Sequence, residues 1–188
     1  MTTLVLGLFK NPKDAEKALQ DLEENGFNPK EISIVMRDRK GSGKVEDSLE
    51  DTFIGEGVST GAAIGSIAGL LVGIAAIIVP GLGGLFVAGP IAGIFGVTAT
   101  AAATTLSGAI IGGLEGGLVA AFVQLGVPEE EARIYEKGIS QGAILLAIPL
   151  SGNNEETIQQ LLKKHHAMQI QTVNLMETNR NIFLKNQV

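Results

Sequence analysis

The sequence lacks charge over a long central stretch. From Gly57 to Leu114, 58 consecutive residues contain no Asp, Glu, Lys or Arg. In the wider range 53–127 the charged residues are Glu56 and Glu115, and this range holds 18 of the chain's 25 glycines. Such a segment would expose a large apolar patch if it stood alone in water. The flanking residues, in contrast, carry the share of charges expected of an ordinary soluble domain.

Cysteine is also absent, which excludes a disulfide framework and thiolate chemistry. The N-terminus lacks the basic region and the cleavage site of a secretory signal, so we expect the polar parts of the chain to be cytoplasmic. The net charge of −6 is spread without acidic or basic blocks. We therefore expect no nucleic-acid partner, and this charge gives little attraction to anionic lipid headgroups.

Glycine recurs at every fourth position where the charge-free stretch begins. Each glycine destabilises a helix by about 1 kcal/mol relative to alanine, so a helix is favoured here only if another backbone packs closely on the glycine stripe. A second set of glycines follows at the same spacing. We predict self-association through a first glycine zipper, Gly57, Gly61, Gly65, Gly69 and Gly73, and a second, Gly108, Gly112 and Gly116.

These zippers predict an apolar helical hairpin over residues 53–127, with a turn between Pro80 and Pro90 and a second helix that begins at Pro90. A helix over Gly57–Val79 would measure about 35 Å, enough for a hydrocarbon core of about 30 Å. Glu115 interrupts the return leg, so it is either an interface residue or a polar position within the zipper. Three arrangements remain open: a hairpin that spans a membrane, one that dips in from one face, and a zipper buried in a soluble oligomer.

The flanks of the apolar segment predict a small α+β domain. The expected strands are Thr3–Phe9, Ile32–Arg37, Ala143–Leu150 and Ile170–Leu175, and the expected helices are Pro12–Asn25, Pro128–Ser140 and Asn154–His165. The order βαβ followed by αβαβ predicts a ferredoxin-like domain that is split by the hairpin. This domain would comprise 1–37 and 128–176, with a polar linker at 38–52 and a polar tail at 177–188.

No residue pattern indicates a catalytic centre. The sequence Arg39–Val45 lacks the first glycine of a phosphate loop and has Val45 where Ser or Thr would hold magnesium. His165 and His166 are adjacent and would point about 100° apart on a helix, so they cannot chelate one metal as an i, i+4 pair does. The acidic run Glu129–Glu131 stands at a helix start, where acids stabilise the free N–H groups. We expect no enzyme activity, no cofactor and no metal.

The exit helix after the apolar segment carries Arg133 and Tyr135. These two side chains either anchor the segment at a headgroup boundary or pack against the α+β domain, and we favour packing.

The succession of local motifs resembles a known family. The motifs are Val5–Phe9, Asp14–Ala18, Leu22, Gly26–Phe27 and Ile32–Val35, then, after the Gly/Ala block, Leu125–Ala132 and Tyr135–Ile139. Their order is similar to that of bacterial general stress proteins of the low-temperature- or heat-induced type, over about residues 3–175. The resemblance implies a non-enzymatic, stress-associated protein that contacts membranes. It assigns no catalytic residues to this sequence.

We therefore expect a stress-associated structural protein that self-associates through the hairpin in or on the cytoplasmic membrane. Its partners would be further copies of itself and membrane lipid, and no small-molecule substrate is indicated. The alternative is a soluble homo-oligomer, such as a shell, filament or cage, in which the zippers form the core. Such a core would bind lipid or another apolar ligand.

Overall fold

The computed structural model describes residues 2–38, 77–79, 84–95, 117–175, 180–181 and 183–184. Within them, six strands form one sheet in the order β3-β4-β2-β5-β1-β6, and every neighbouring pair is antiparallel. The strands are β1 (Thr3–Phe9), β2 (Ser33–Arg37), β3 (Ile77–Val79), β4 (Leu85–Ala88), β5 (Ile144–Pro149) and β6 (Gln169–Asn174). The helices are α1 (Pro12–Glu24), α2 (Gly117–Gln124), α3 (Glu129–Ser140) and α4 (Glu155–Lys164), with short 3-10 helices at Pro29–Glu31 and Pro90–Gly93.

Helix α1 shows how local sequence sets the element bounds. Pro12 occupies the first helical position, and the Asn11 side chain accepts a hydrogen bond from the Lys13 N–H at 3.0 Å. At the other end, the Asn25 side chain donates to the carbonyl of Asp21 at 2.7 Å, and Gly26 takes a positive φ of 88°. The buried residues of α1 share one face of the helix and are Ala15, Ala18, Leu19 and Leu22.

The sheet has a hydrophobic core on each face, because successive side chains of a strand point to opposite sides. In β1, Leu4, Leu6 and Leu8 join a core with α2, α3 and the 3-10 helix at Pro90–Gly93. Val5 and Phe9 of the same strand join a second core with α1 and α4. The fold therefore has three layers, with helices on both sides of the sheet.

Close contact between the helices and the sheet depends on two small residues. A Cβ added to Gly138 of α3 would lie 2.6 Å from the Leu8 Cδ2 atom, and one added to Gly7 of β1 would lie 3.0 Å from the Leu162 methyl groups of α4. Each glycine therefore lets a helix approach β1 more closely than a larger residue would.

The α+β class is confirmed, and the strands and helices expected in the flanks occur within one or two residues of their predicted bounds. The central segment differs from the prediction at three places. The last residues of the expected helix over Gly57–Val79 form β3, residues of the expected turn form β4, and Pro90 begins a single 3-10 turn. β-Branched and aromatic residues dominate β3 and β4, and antiparallel pairing of β4 with β2 extends the sheet.

Candidate functional site

The residues predicted for self-association lie outside the described part of the chain. They are Gly57, Gly61, Gly65, Gly69, Gly73, Gly108, Gly112 and Gly116, together with Glu115 of the second zipper. The structure does describe the four positions at which the two zipper segments join the domain. These positions are Asp38 and Ile77 for residues 39–76, and Phe95 and Gly117 for residues 96–116.

The first junction lies at the end of β2. Asp38 is 5% exposed, and its backbone N–H donates to the carbonyl of Gly84 at 2.6 Å. The preceding residue, Arg37, donates from Nη1 to the Ser140 carbonyl at 3.0 Å, at the C-terminal end of α3 where a cation is favoured. Because β4 pairs antiparallel with both β2 and β3, residues 39–76 connect two parallel strands that flank β4.

The second junction lies in an aromatic cluster formed by Phe95, Phe122 and Tyr135. The Phe95 and Phe122 rings meet edge to face with centroids 5.8 Å apart, and the Phe122 and Tyr135 centroids are 5.4 Å apart. All three side chains are fully buried in the core that also holds Leu4, Leu6 and Leu8. Phe95, directly before residues 96–116, and Phe122 of α2, after them, are therefore held next to each other in the domain core, whereas Gly117 itself is exposed.

Residues 84–95, which lie between the two segments predicted to hold the zippers, pack closely against β2. The Ser33 hydroxyl, which is buried, accepts a hydrogen bond from the Ile91 N–H at 3.1 Å. Gly89 has a φ of 88°, and a Cβ there would lie 2.6 Å from the Ile32 carbonyl oxygen. The middle of the charge-free stretch is thus an integral part of the domain.

Tyr135 is fully buried and packs inside the domain, which is the favoured one of its two expected placements. Its hydroxyl is buried and has no hydrogen-bond partner among the described residues. Burial, and to a lesser extent the negative charge of Glu131, raise the pKa of the Tyr135 phenol far above its usual range. The phenol therefore stays neutral at physiological pH and is not poised for proton transfer. Arg133, two residues earlier, is exposed and pairs with Glu129 at 2.6 Å.

A polar cluster joins α1 to the end of α4. The Asp21 carboxylate accepts a hydrogen bond from Lys164 Nζ at 2.6 Å and lies 2.7 Å from His165 Nε2. The hydrogen bond from Lys164, followed by the one from His165, lowers the pKa of Asp21. His165 thus contacts a carboxylate, whereas His166 is exposed and has a positive φ of 60°. The cluster of Asp21, Lys164 and His165 therefore acts as a structural tether between α1 and the end of α4.

The acidic run at the start of α3 also serves local structure. Glu129 pairs with Arg133, and the Glu131 carboxylate accepts a hydrogen bond from the Gln171 side chain of β6. All three glutamates lie in the first turn, where negative charge complements the helix dipole. In the described ranges, no group of three or more His, Cys, Asp or Glu residues is placed to hold a metal ion.

A cleft of about 330 Å³ opens between the α1–β2 and β5–α4 connections. Its apolar floor includes Ile32 and Ile148. Two polar residues of its rim are engaged in the loops themselves. The Asn28 amide donates to Glu31 at 3.1 Å, and the Asn154 side chain accepts from the Ser151 N–H at 3.2 Å. The cleft therefore offers few side-chain groups arranged to recognise a ligand.

The helices of the described ranges are each too short or too polar to cross a lipid bilayer.

Comparison with known proteins gives one family match. Residues 4–77 match the family model described as "Heat induced stress protein YflT domain". The matched range begins at the second residue of β1, includes α1, β2 and the positions predicted for the first glycine zipper, and ends at the first residue of β3. It supports a bacterial general stress protein family. Neither the curated proteins nor the solved structures gave a match to this chain.

Proposed function

We propose that this chain, which carries a heat-induced stress protein domain over residues 4–77, is a non-enzymatic structural protein of the stress response. It self-associates through the glycine zippers at Gly57–Gly73 and Gly108–Gly116. The observation that carries this proposal is the extent of the family match, because the matched domain includes the entire first zipper. This overlap supports a role for the first zipper within the stress-protein domain.

The described part of the chain suits a supporting role. We infer that β1, β2, β5 and β6, together with α1 and α4, form a ferredoxin-like unit. Their order in the sheet is β2-β5-β1-β6 with antiparallel pairing, and α1 and α4 pack in the same core. Strands β3 and β4 extend this unit beyond β2. Helices cover both faces of the sheet, so the unit presents the zipper segments from a closed three-layer domain.

The pairing of β4 with β2 helps to decide whether the zippers pack in a membrane or between copies of the chain. A hairpin that spans a bilayer would carry its turn, residues 80–90, to the far side of the membrane. Residues 85–88 instead pair with β2 in the domain sheet, and Ile91 is bonded to Ser33. Each zipper segment therefore begins and ends at the domain. This supports an assembly in which zippers of different copies pack against one another, with bound lipid or another apolar ligand as a further component.

A glycine substitution tests the self-association. Gly65→Leu places a large side chain in the middle of the first zipper, where it would block close backbone approach. Ala63→Leu adds similar bulk two residues away, on the other side of the expected helix. We expect Gly65→Leu to lower the mass measured by mass photometry and Ala63→Leu to leave it unchanged. Equal masses for wild type and Gly65→Leu would overturn the proposed role of the zipper.

Flotation of carbonate-washed membranes tests the environment of the assembly. Untagged protein that remains in the supernatant as one large species without detergent would support zippers that pack between copies. Protein that floats with membranes and is released by detergent alone would instead assign the zippers to lipid, and the function would then be membrane support.

A further inference from the structure

Strand β6 lies at one edge of the sheet that the described strands form. Among the described strands it pairs with β1 alone, and Gln169–Thr172 are partly exposed. Natural proteins protect such edges with charged residues, proline or bulges, which prevent pairing with another chain. The sequence of β6, Gln-Ile-Gln-Thr-Val-Asn, contains no charge and no proline. Its pairing with β1 is a regular six-residue register.

Helix α4 lies above this edge and carries charges of opposite sign at its two ends. The Thr172 hydroxyl of β6 donates to Glu155 at 2.6 Å and accepts from the Gln159 amide at 3.3 Å. The side of α4 that carries Glu155 and Gln159 therefore overlies β6. Lys163 lies on the same side, because it follows Gln159 by four residues. We call Glu155, Gln159 and Lys163 the α4 row. The opposite side of α4 faces α1 through Lys164 and Asp21.

We propose that β6 pairs with β6 of a second copy of this chain, antiparallel and about a two-fold axis. The same axis makes the two α4 helices antiparallel. Glu155 then lies opposite the partner's Lys163, Lys163 lies opposite the partner's Glu155, and the two Gln159 side chains meet near the axis. The α4 row is thus complementary to itself, which is what a two-fold interface requires.

The spacing of the two helices agrees with this pairing. Helix α4 covers β1 and β6, since Leu162 packs over Gly7 and Gln159 bonds Thr172. Neighbouring strands are about 4.8 Å apart, so two helices each centred over their own β1 and β6 would be about 10 Å apart. Packed helices lie at 8–10 Å. The paired sheet would therefore bring the α4 helices into contact with no further adjustment.

The other face of the sheet contributes an exposed apolar side chain near the same edge. Glu131 of α3 contacts Gln171 of β6, and Ile134 follows three residues later on that side of α3. Ile134 is 48% exposed, although isoleucine is among the residues most often buried. A second copy at the β6 edge would cover it.

This interface does not depend on the glycine zippers, so it goes beyond the proposed function. A copy with one interface at β6 and another at its zippers can bind two neighbours. Such a pair of contacts extends an assembly beyond a dimer.

Cysteine cross-linking in the full-length protein tests the pairing. The chain contains no cysteine, so each variant has a single thiol. We expect Gln159→Cys to form a cross-linked dimer with a short bismaleimide, because two copies of residue 159 meet near the axis. Gln160→Cys is the matched control, since Gln160 is exposed and bonds Glu156 along the solvent side of α4. Equal cross-linking of the two variants would overturn the proposal.

Charge exchange provides the second test. Lys163→Glu places like charges opposite each other twice in the dimer, and we expect the Gln159→Cys cross-link yield to fall roughly tenfold. Adding Glu155→Lys should restore the yield. Lys17→Glu, the same charge change on the exposed side of α1, should have no effect. The interface is contradicted if Lys163→Glu leaves the cross-link yield unchanged, or if adding Glu155→Lys does not restore it. Thermal unfolding of each variant confirms that the domain is folded.

Combination with Gly65→Leu separates this interface from the zipper. A cross-link at Gln159→Cys that persists in the Gly65→Leu background supports β6 pairing, whether or not the zipper contributes to assembly. Loss of the cross-link in that background would mean that the zippers alone bring the copies together, and the β6 interface would be rejected.

Discussion

Lys164 at the end of α4 reaches Asp21 in the last turn of α1, with 2.6 Å between Nζ and the carboxylate. His165 contacts the same carboxylate at 2.7 Å, so two consecutive residues of one helix terminus hold one acid of the other helix. This contact joins the two helices that cover one face of the sheet.

The Asp21 tether predicts a pH-dependent stability difference between the wild type and Asp21→Asn. The pKa of Asp21 is lowered in the folded state, so its contribution is fully present above the pKa of the unfolded chain, about 4. The contribution is lost as the pH falls through the lowered folded-state pKa. We expect Asp21→Asn to be less stable than the wild type at pH 7 and equal to it in strong acid. Urea unfolding at several pH values measures the difference, and a constant difference would contradict this role.

Two glycines with the same backbone conformation should respond differently to alanine. Gly26 and Gly89 both have a φ of 88°. A Cβ at Gly26 meets nothing within 4 Å, so Gly26→Ala should destabilise the protein by about 1–2 kcal/mol through backbone strain alone. A Cβ at Gly89 would lie 2.6 Å from the Ile32 carbonyl oxygen and 2.7 Å from the Ser33 Cα, so Gly89→Ala must also displace backbone.

We expect the free energy of unfolding to fall markedly further for Gly89→Ala than for Gly26→Ala. Chemical denaturation of both variants under the same conditions provides the comparison. Equal losses would mean that the chain after β4 does not pack against the start of β2 as described.

Removal of the buried Tyr135 hydroxyl should not destabilise the protein, in contrast to the substitutions above. A buried polar group without a partner destabilises the folded state, so Tyr135→Phe should leave stability unchanged or raise it by up to about 1 kcal/mol. Tyr135→Ala removes the ring that packs on Phe122 and should destabilise by about 3–5 kcal/mol. Thermal unfolding measures both. A loss of more than about 1 kcal/mol in Tyr135→Phe would show that the hydroxyl makes a stabilising hydrogen bond.

The flanks of the chain were predictable because their signals are local. Asn11 and Pro12 mark the start of α1, Asn25 and Gly26 mark its end, and the apolar residues between them have helical spacing. The tether between Asp21 and Lys164 was not predictable, since 143 residues separate its partners and neither position is unusual in sequence. Such contacts follow from the fold and have no signature of their own.

The central segment was predicted less well for a different reason. A long run of apolar and small residues is compatible with either a buried helix or a buried strand when periodicity alone is considered. Ile77–Val79 is β-branched throughout, and Leu85–Ala88 follows Gly83 and Gly84, a residue type that favours turns. This strand–turn–strand pattern was present in the sequence, but the length of the run and its lack of charge favoured the prediction of one membrane-spanning helix. The zippers at Gly57–Gly73 and Gly108–Gly116 remain predictions.

The last prediction concerns the residues between the zippers. If they form an integral part of the sheet, then Phe86→Ala should destabilise the whole domain, because Phe86 is fully buried in the core with α1 and α4. A loss of about 3–5 kcal/mol is expected for such a phenylalanine. Leu184→Ala, at a side chain that is 47% exposed, is the matched control and should change stability by less than about 0.5 kcal/mol. Urea unfolding followed by far-UV circular dichroism measures both variants. If Phe86→Ala unfolded like the wild type, then β4 would not belong to the domain sheet, and a separate hairpin that carries its turn away from the domain would again be the better description.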